Sequence, residues 1–144
     1  MPVFSESELF PLDQSDPTPL FVQLDRAVRA AIAIGTLRGG DRMPTVRSLA
    51  GDLRINPNTV AKTYGELRRA GLLTARRGAG TFVADSPVVA PAPDKRERER
   101  ELRPLVDRLL ADALSIGVSV HEIVHYLHSL ESRRPPHSST TNEP

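Results

Sequence analysis

The dipeptide Asn56-Pro57 fixes a helix start more firmly than any other feature of the chain. Asparagine can accept a hydrogen bond from an orphaned first-turn N–H. Proline at the first helical position has no N–H to satisfy, and its φ is already set for a helix. Val60, Tyr64 and Leu67 follow at helical spacing, and Gly71 ends the run as a left-handed cap. With that stripe inward, Asn58, Thr59, Lys62 and Thr63 are expected outside. Upstream, Thr45 is a candidate N-cap for a shorter helix whose inner face is Val46, Leu49, Ala50 and Leu53, and Arg54-Ile55 make the turn between the two. Earlier still, Phe21, Leu24, Val28, Ala31 and Ile32 recur at helical spacing until Gly35 stops them. Downstream, residues 72–75 and 81–84 read as strands flanking Arg76-Arg77-Gly78-Ala79-Gly80, a hairpin with a basic, glycine-bearing tip.

Two helices on a tight turn followed by a basic hairpin form a winged helix-turn-helix layout, mainly α with a small β-hairpin. The second helix has the width of a DNA major groove. Asn58 has the amide to bridge an adenine edge, and Thr59 a methyl to meet that of thymine. Arg76 and Arg77 can reach phosphates or the minor groove, and Gly78 and Gly80 let the backbone approach closely. The charge distribution agrees. Residues 20–84 hold eleven Lys/Arg against four Asp/Glu, a net +7, whereas residues 1–19 carry −4 and residues 85–144 carry −2. A basic middle segment is the electrostatic footprint of a polyanion binder.

Composition excludes other chemistries. There is no cysteine, so disulfides, thiolate metal sites and cysteine nucleophiles are absent. No apolar run reaches the roughly 20 residues a bilayer demands. The opening residues lack the basic-then-apolar pattern of a signal peptide, so a cytoplasmic location without membrane partners is expected. The expected domains are an acidic, loose N-terminal arm over 1–18, a DNA-binding domain over 19–84 and a Pro-rich linker over 85–93. A helical tail over 94–131 and a disordered end over 132–144 follow.

The runs Pro19-Leu20-Phe21-Val22-Gln23-Leu24 and Gly39-Gly40-Asp41-Arg42-Met43-Pro44-Thr45-Val46-Arg47-Ser48-Leu49-Ala50 resemble the N-terminal head of the GntR family of bacterial regulators. So do Asn56-Pro57-Asn58-Thr59-Val60-Ala61-Lys62-Thr63-Tyr64 and Gly78-Ala79-Gly80-Thr81-Phe82-Val83. The resemblance implies a transcription regulator that is not an enzyme and needs no cofactor. It places Arg47 against phosphate or a guanine edge and Asn56, Pro57, Asn58 and Thr59 at the start of the recognition helix. Lys62 lies one turn on, and Arg77-Gly78 form the wing tip. Arg42 and Arg76 are further expected phosphate contacts. Some relatives have arginine where this chain has Pro57, so that base contact is not carried over. The short tail resembles the YtrA-like branch, which implies a homodimeric repressor on a pseudo-palindromic operator, with a transporter operon as the target class. No small-molecule effector is indicated.

Within the tail, Leu102, Leu105, Val106, Leu109 and Leu110 fall at helical spacing, and Pro104 among them must kink the helix or mark its true start. Ser119-Val120-His121-Glu122 is a capping box opening a second helix with Ile123, Val124, Leu127 and Leu130 on one side. Two amphipathic helices on a linker cannot bury both stripes alone, so dimerisation through them is expected. His121-Glu122-Ile123-Val124-His125 also fits H-E-x-x-H, with His128 on the same face. That pattern raises the alternative of a metal-responsive regulator or a zinc hydrolase. The simpler expectation is a polar ridge beside the dimer face.

Overall fold

The structure, a computed structural model, describes residues 6–85 and 94–132. The expected linker, apart from Asp85, and the expected disordered end, apart from Ser132, lie outside the described residues. The chain divides into two compact units at Val88/Val89.

The first unit runs α1 (Glu6–Leu9), α2 (Leu20–Ala33), α3 (Val46–Leu53), α4 (Pro57–Arg69), β1 (Leu73–Arg76) and β2 (Gly80–Val83). Its core is aliphatic: Leu24 and Val28 of α2 meet Leu49 of α3 and Val60 and Leu67 of α4, all fully buried. Met43 and Tyr64 fill the space between them.

The expected caps form. Thr45 accepts from the Ser48 N–H at 3.1 Å, and Asn56 accepts from the Asn58 N–H at 2.8 Å with Pro57 at the first helical position. Gly71, at φ 77°, ends α4 in a Schellman motif: its N–H bonds to the Arg68 carbonyl, and the Leu72 N–H bonds to that of Leu67, both at 3.0 Å. Leu72 is therefore committed to the helix end. The first strand starts one residue later than expected, and both strands are displaced by one.

The hairpin pairs Leu73 with Val83 at its buried base and Arg76 with Gly80 at its tip. A third chain segment joins it. Gly40 donates to the Val83 carbonyl at 2.9 Å, Met43 to that of Thr81 at 2.8 Å, and Val83 to that of Asp41 at 2.8 Å. Residues 40–43 thus lie against the wing, with Arg42 in an isolated β-bridge opposite Phe82, so the connection into α3 is tied to the hairpin.

Over its described residues, 6–18, the arm is not loose, contrary to expectation. Phe10 is fully buried in the core, with Leu9 and Leu12 packed beside it. The Gln23 side chain clamps the following turn, accepting from the Asp13 N–H and donating to the Asp13 carbonyl, each at 2.9 Å. One large apolar side chain in a polar stretch has no periodicity to announce it, yet burying a phenylalanine contributes about 1.5–3 kcal/mol.

The second unit comprises α5 (Lys95–Ser115) and α6 (Val120–Ser132). Asp94 caps α5 by accepting from the Glu97 N–H at 2.9 Å, so Pro104 lies inside the helix and does not mark its start. There it leaves the Arg100 carbonyl without its usual helical donor. Gly117, at φ 74°, closes α5 in a Schellman motif. The capping box forms as expected: the Ser119 N–H donates to Glu122 Oε2 at 2.8 Å, and the Glu122 N–H donates to Ser119 Oγ at 3.2 Å.

Candidate nucleic-acid interface

The geometry around α4 begins at the turn before it. Arg54 sits at φ 55°, the one non-glycine residue with positive φ among those described. Its N–H bonds to the Gly51 carbonyl at 3.3 Å, and that of Ile55 bonds to the Ala50 carbonyl at 3.0 Å. This closes α3 abruptly and lets α4 begin within three residues. Tyr64, buried, donates its hydroxyl to the Pro44 carbonyl at 2.8 Å and ties α4 to the entry of α3. Burial pushes the Tyr64 hydroxyl pKa above its ordinary value.

With Val60, Tyr64 and Leu67 sealed inside, Asn56, Pro57, Asn58 and Lys62 are exposed and Thr59 is half-exposed. Thr63 departs from expectation. It is 1% exposed, and its hydroxyl donates to the Thr59 carbonyl at 2.9 Å and to the Phe21 carbonyl at 3.4 Å. On the helical wheel Thr63 lies next to Leu67 at the edge of the inner arc, and hydrogen bonding within its own helix lets a hydroxyl enter an apolar interface. Arg47 is exposed on the first turn of α3. Lys62 lies over the Phe21 ring, its ammonium nitrogen 3.8 Å from the centroid.

On the wing, Arg77 and Gly78 occupy the exposed tip, with Gly78 at φ 75°. Arg76 is stacked on Phe82, its guanidinium carbon 4.5 Å from the ring centroid. Arg42 forms an isolated β-bridge with Phe82 and lays its guanidinium against Gly80, where a Cβ would lie 3.6 Å from Nε and Nη2. Arg76 therefore stacks on Phe82 while Arg42, bridged to Phe82 through the backbone, lies against Gly80, an arrangement that sequence spacing alone could not reveal.

A carboxyl pair flanks α3. Glu6 accepts from Ser48 Oγ at 3.4 Å and faces Asp52; burial first, then the Asp52 hydrogen bond and charge, push its pKa up to about 7. In the tail, His121, His125 and His128 are exposed on α6. Glu122, by contrast, is held by the Ser119 N–H and hydroxyl, which keep its carboxyl below the usual range. It is a capping residue and is not poised as a general base. Among the described residues no three metal-ligating side chains converge.

Comparison with known proteins converges on one family. The profile of "Bacterial regulatory proteins, gntR family" matches residues 21–83, which span the helix-turn-helix and the wing. The regulator YhcF of Bacillus subtilis is 37% identical over 82 residues, 56% of this chain and 68% of that protein. The chain belongs to the GntR family. It is accordingly a sequence-specific DNA-binding transcription regulator and not an enzyme, which overturns the zinc-hydrolase alternative. The transcriptional repressor YtrA of Bacillus subtilis is 28% identical over 121 residues, 84% of this chain and 91% of that protein. Among solved structures, a transcriptional antiterminator from Listeria monocytogenes EGD-e superposes with a TM-score of 0.56 at 27% identity, covering 86% of this chain and 90% of that one. A mainly α winged helix-turn-helix with a small antiparallel wing and C-terminal helices is thus the established architecture for this GntR-family chain. Among the described residues, no helix is long and apolar enough to cross a membrane.

Proposed function

We propose that the chain is a homodimeric, YtrA-like repressor that reads a pseudo-palindromic operator with the first turns of α4. In this reading Asn58 and Thr59 meet base edges while Asn56 and Pro57 set the helix entry. Arg42, Arg47, Lys62 and Arg76 meet phosphates, and Arg77 with Gly78 and Gly80 follows the minor groove. The carrying observation is the division of α4: Val60, Thr63, Tyr64 and Leu67 are buried, and the exposed remainder includes Asn58 and Lys62. The YtrA-like assignment draws support from the 121-residue match to YtrA, which is too long to fit within residues 1–88 and so extends into the tail. A transporter operon is the target class this resemblance brings with it.

Dimerisation is assigned to the tail. Leu102, Leu105, Val106 and Leu109 of α5 and Val124 and Leu127 of α6 are exposed, with Leu105 reaching 67%. Leu110, Ile123 and Leu130 of the same expected face are half-buried within the chain. Leu114, Ile116 and Tyr126 are further exposed apolar side chains of this unit. A second copy covering this stripe would set two recognition helices in two-fold symmetry, as a pseudo-palindrome requires.

The test is to select duplexes from a random pool on the wild-type chain and measure binding by anisotropy. Enrichment of an inverted repeat is expected, and Arg47→Ala should weaken binding to it by about 1–3 kcal/mol. A pool that stays unenriched, or an affinity indifferent to Arg47→Ala, would refute the corresponding assignment.

A further inference from the structure

The contact between Phe21 and Lys62 joins two helices through a charge that is in no ion pair among the described residues. The 3.8 Å separation of ammonium nitrogen and ring centroid is well inside the roughly 6 Å over which an aromatic face attracts a cation. Phe21 is the anchored partner. Phe21 is half-buried in the first turn of α2, and its carbonyl accepts from the hydroxyl of Thr63, the residue next to Lys62, at 3.4 Å. Two carboxylates line the same groove, but each already holds an arginine: Asp25 holds Arg29 at 2.8 Å, and Glu66 holds Arg69 at 2.6 Å. The ring orients Lys62 without neutralising it.

We propose that Phe21 is a positioning residue for DNA binding, its ring holding the Lys62 ammonium aimed outward from α4 before a phosphate arrives. This rests on the reading of Lys62 as a phosphate contact. A lysine that wanders in solvent must give up rotamer freedom when it pairs with a phosphate; one held against a ring has already given up part of it. The ring covers one side of the ammonium, and the hydrogens on the other side stay available to an oxygen. The gain expected of an exposed cation–ring contact is about two- to fivefold in affinity.

The experiment is a double-mutant cycle on a duplex selected from a random pool, with Phe21→Leu, Lys62→Met, both together, and Phe21→Tyr. Phe21→Leu should weaken binding about two- to fivefold when Lys62 is present and cause no further loss beside Lys62→Met. Phe21→Tyr keeps the aromatic face and should bind like wild type. The slope of log affinity against log salt should fall by about 1 for Lys62→Met and stay unchanged for Phe21→Leu, which removes no charge. In the DNA-free chain, loss of the ring current in Phe21→Leu should shift the Lys62 ε-methylene protons downfield. An equal loss from Phe21→Leu in both lysine backgrounds would make the ring purely structural and overturn the proposal, as would tighter binding by Phe21→Leu. If Lys62→Met leaves affinity and slope untouched, the phosphate reading itself fails, a result distinct from the other two.

Discussion

Gly39 is the position where one added methyl should do the most damage without touching the DNA-facing residues. A Cβ there would lie 2.6 Å from the Asp85 carbonyl oxygen and 3.1 Å from that of Ala84. Both obstacles are backbone, and neither segment is free to retreat. The Ala84 N–H is bonded to the Leu72 carbonyl and the Gly40 N–H to that of Val83, each at 2.9 Å. Ordinary contact begins near 3.4 Å, so the two segments must part by most of an ångström at the root of the wing. Overpacking of this kind costs about 1–3 kcal/mol. For a unit of this size, Gly39→Ala should lower the thermal midpoint by about 5–20 °C. The matched control is Gly51→Ala, in the interior of α3 with nothing within 4 Å of the new methyl. It should stabilise by about 0.5–1 kcal/mol, because glycine is the poorer helix former. Circular-dichroism melts of both variants give the comparison. A Gly39→Ala chain as stable as wild type would refute the described approach of residues 39 and 85.

Further outcomes follow from other contacts. Tyr64→Phe should cost about 0.5–1.5 kcal/mol by stranding the Pro44 carbonyl, read as a lower urea midpoint at unchanged slope, with DNA affinity below the transition preserved. Glu6, whose carboxyl pKa rises from 4.5 unfolded to about 7 when docked, binds its proton more tightly in the docked arm. Its contribution is therefore complete below about pH 4.5 and lost as pH rises through about 7. Amide exchange over residues 6–10 should show the arm loosening between pH 5.5 and 8.5, at fixed intrinsic exchange rate, and Glu6→Gln should flatten that response. Arg77→Ala should weaken selected and random duplexes alike and reduce the salt slope by about 1, read by anisotropy titrations across salt concentrations.

The helix-turn-helix was legible because its signals are local. Thr45, Asn56-Pro57 and Gly71 punctuate the chain at the helix ends themselves, and the Ser119/Glu122 box does the same for α6. What escaped was settled at a distance. Thr63 faces inward because its hydroxyl finds the Thr59 and Phe21 carbonyls, which the polarity of threonine conceals. Phe10 docks on a core built from residues far along the chain, and residues 40–43 find backbone partners only because the wing lies beside them. Arg54 takes a left-handed conformation with no glycine to advertise it. Of the candidate site, the residue types were readable, whereas the stacking of Arg76 on Phe82 and the approach of Arg42 to Gly80 required the fold.

The bridge that ties residues 40–43 to the wing constrains how this head can vary. Because side chains alternate along a strand, Met43 enters the core while Arg42 stays in solvent. Inserting or deleting a single residue there would exchange them, driving a guanidinium inward and a thioether out. The connector between the first long helix and the helix-turn-helix is thus fixed in length by parity. Changes of two residues have a route to tolerance that changes of one do not.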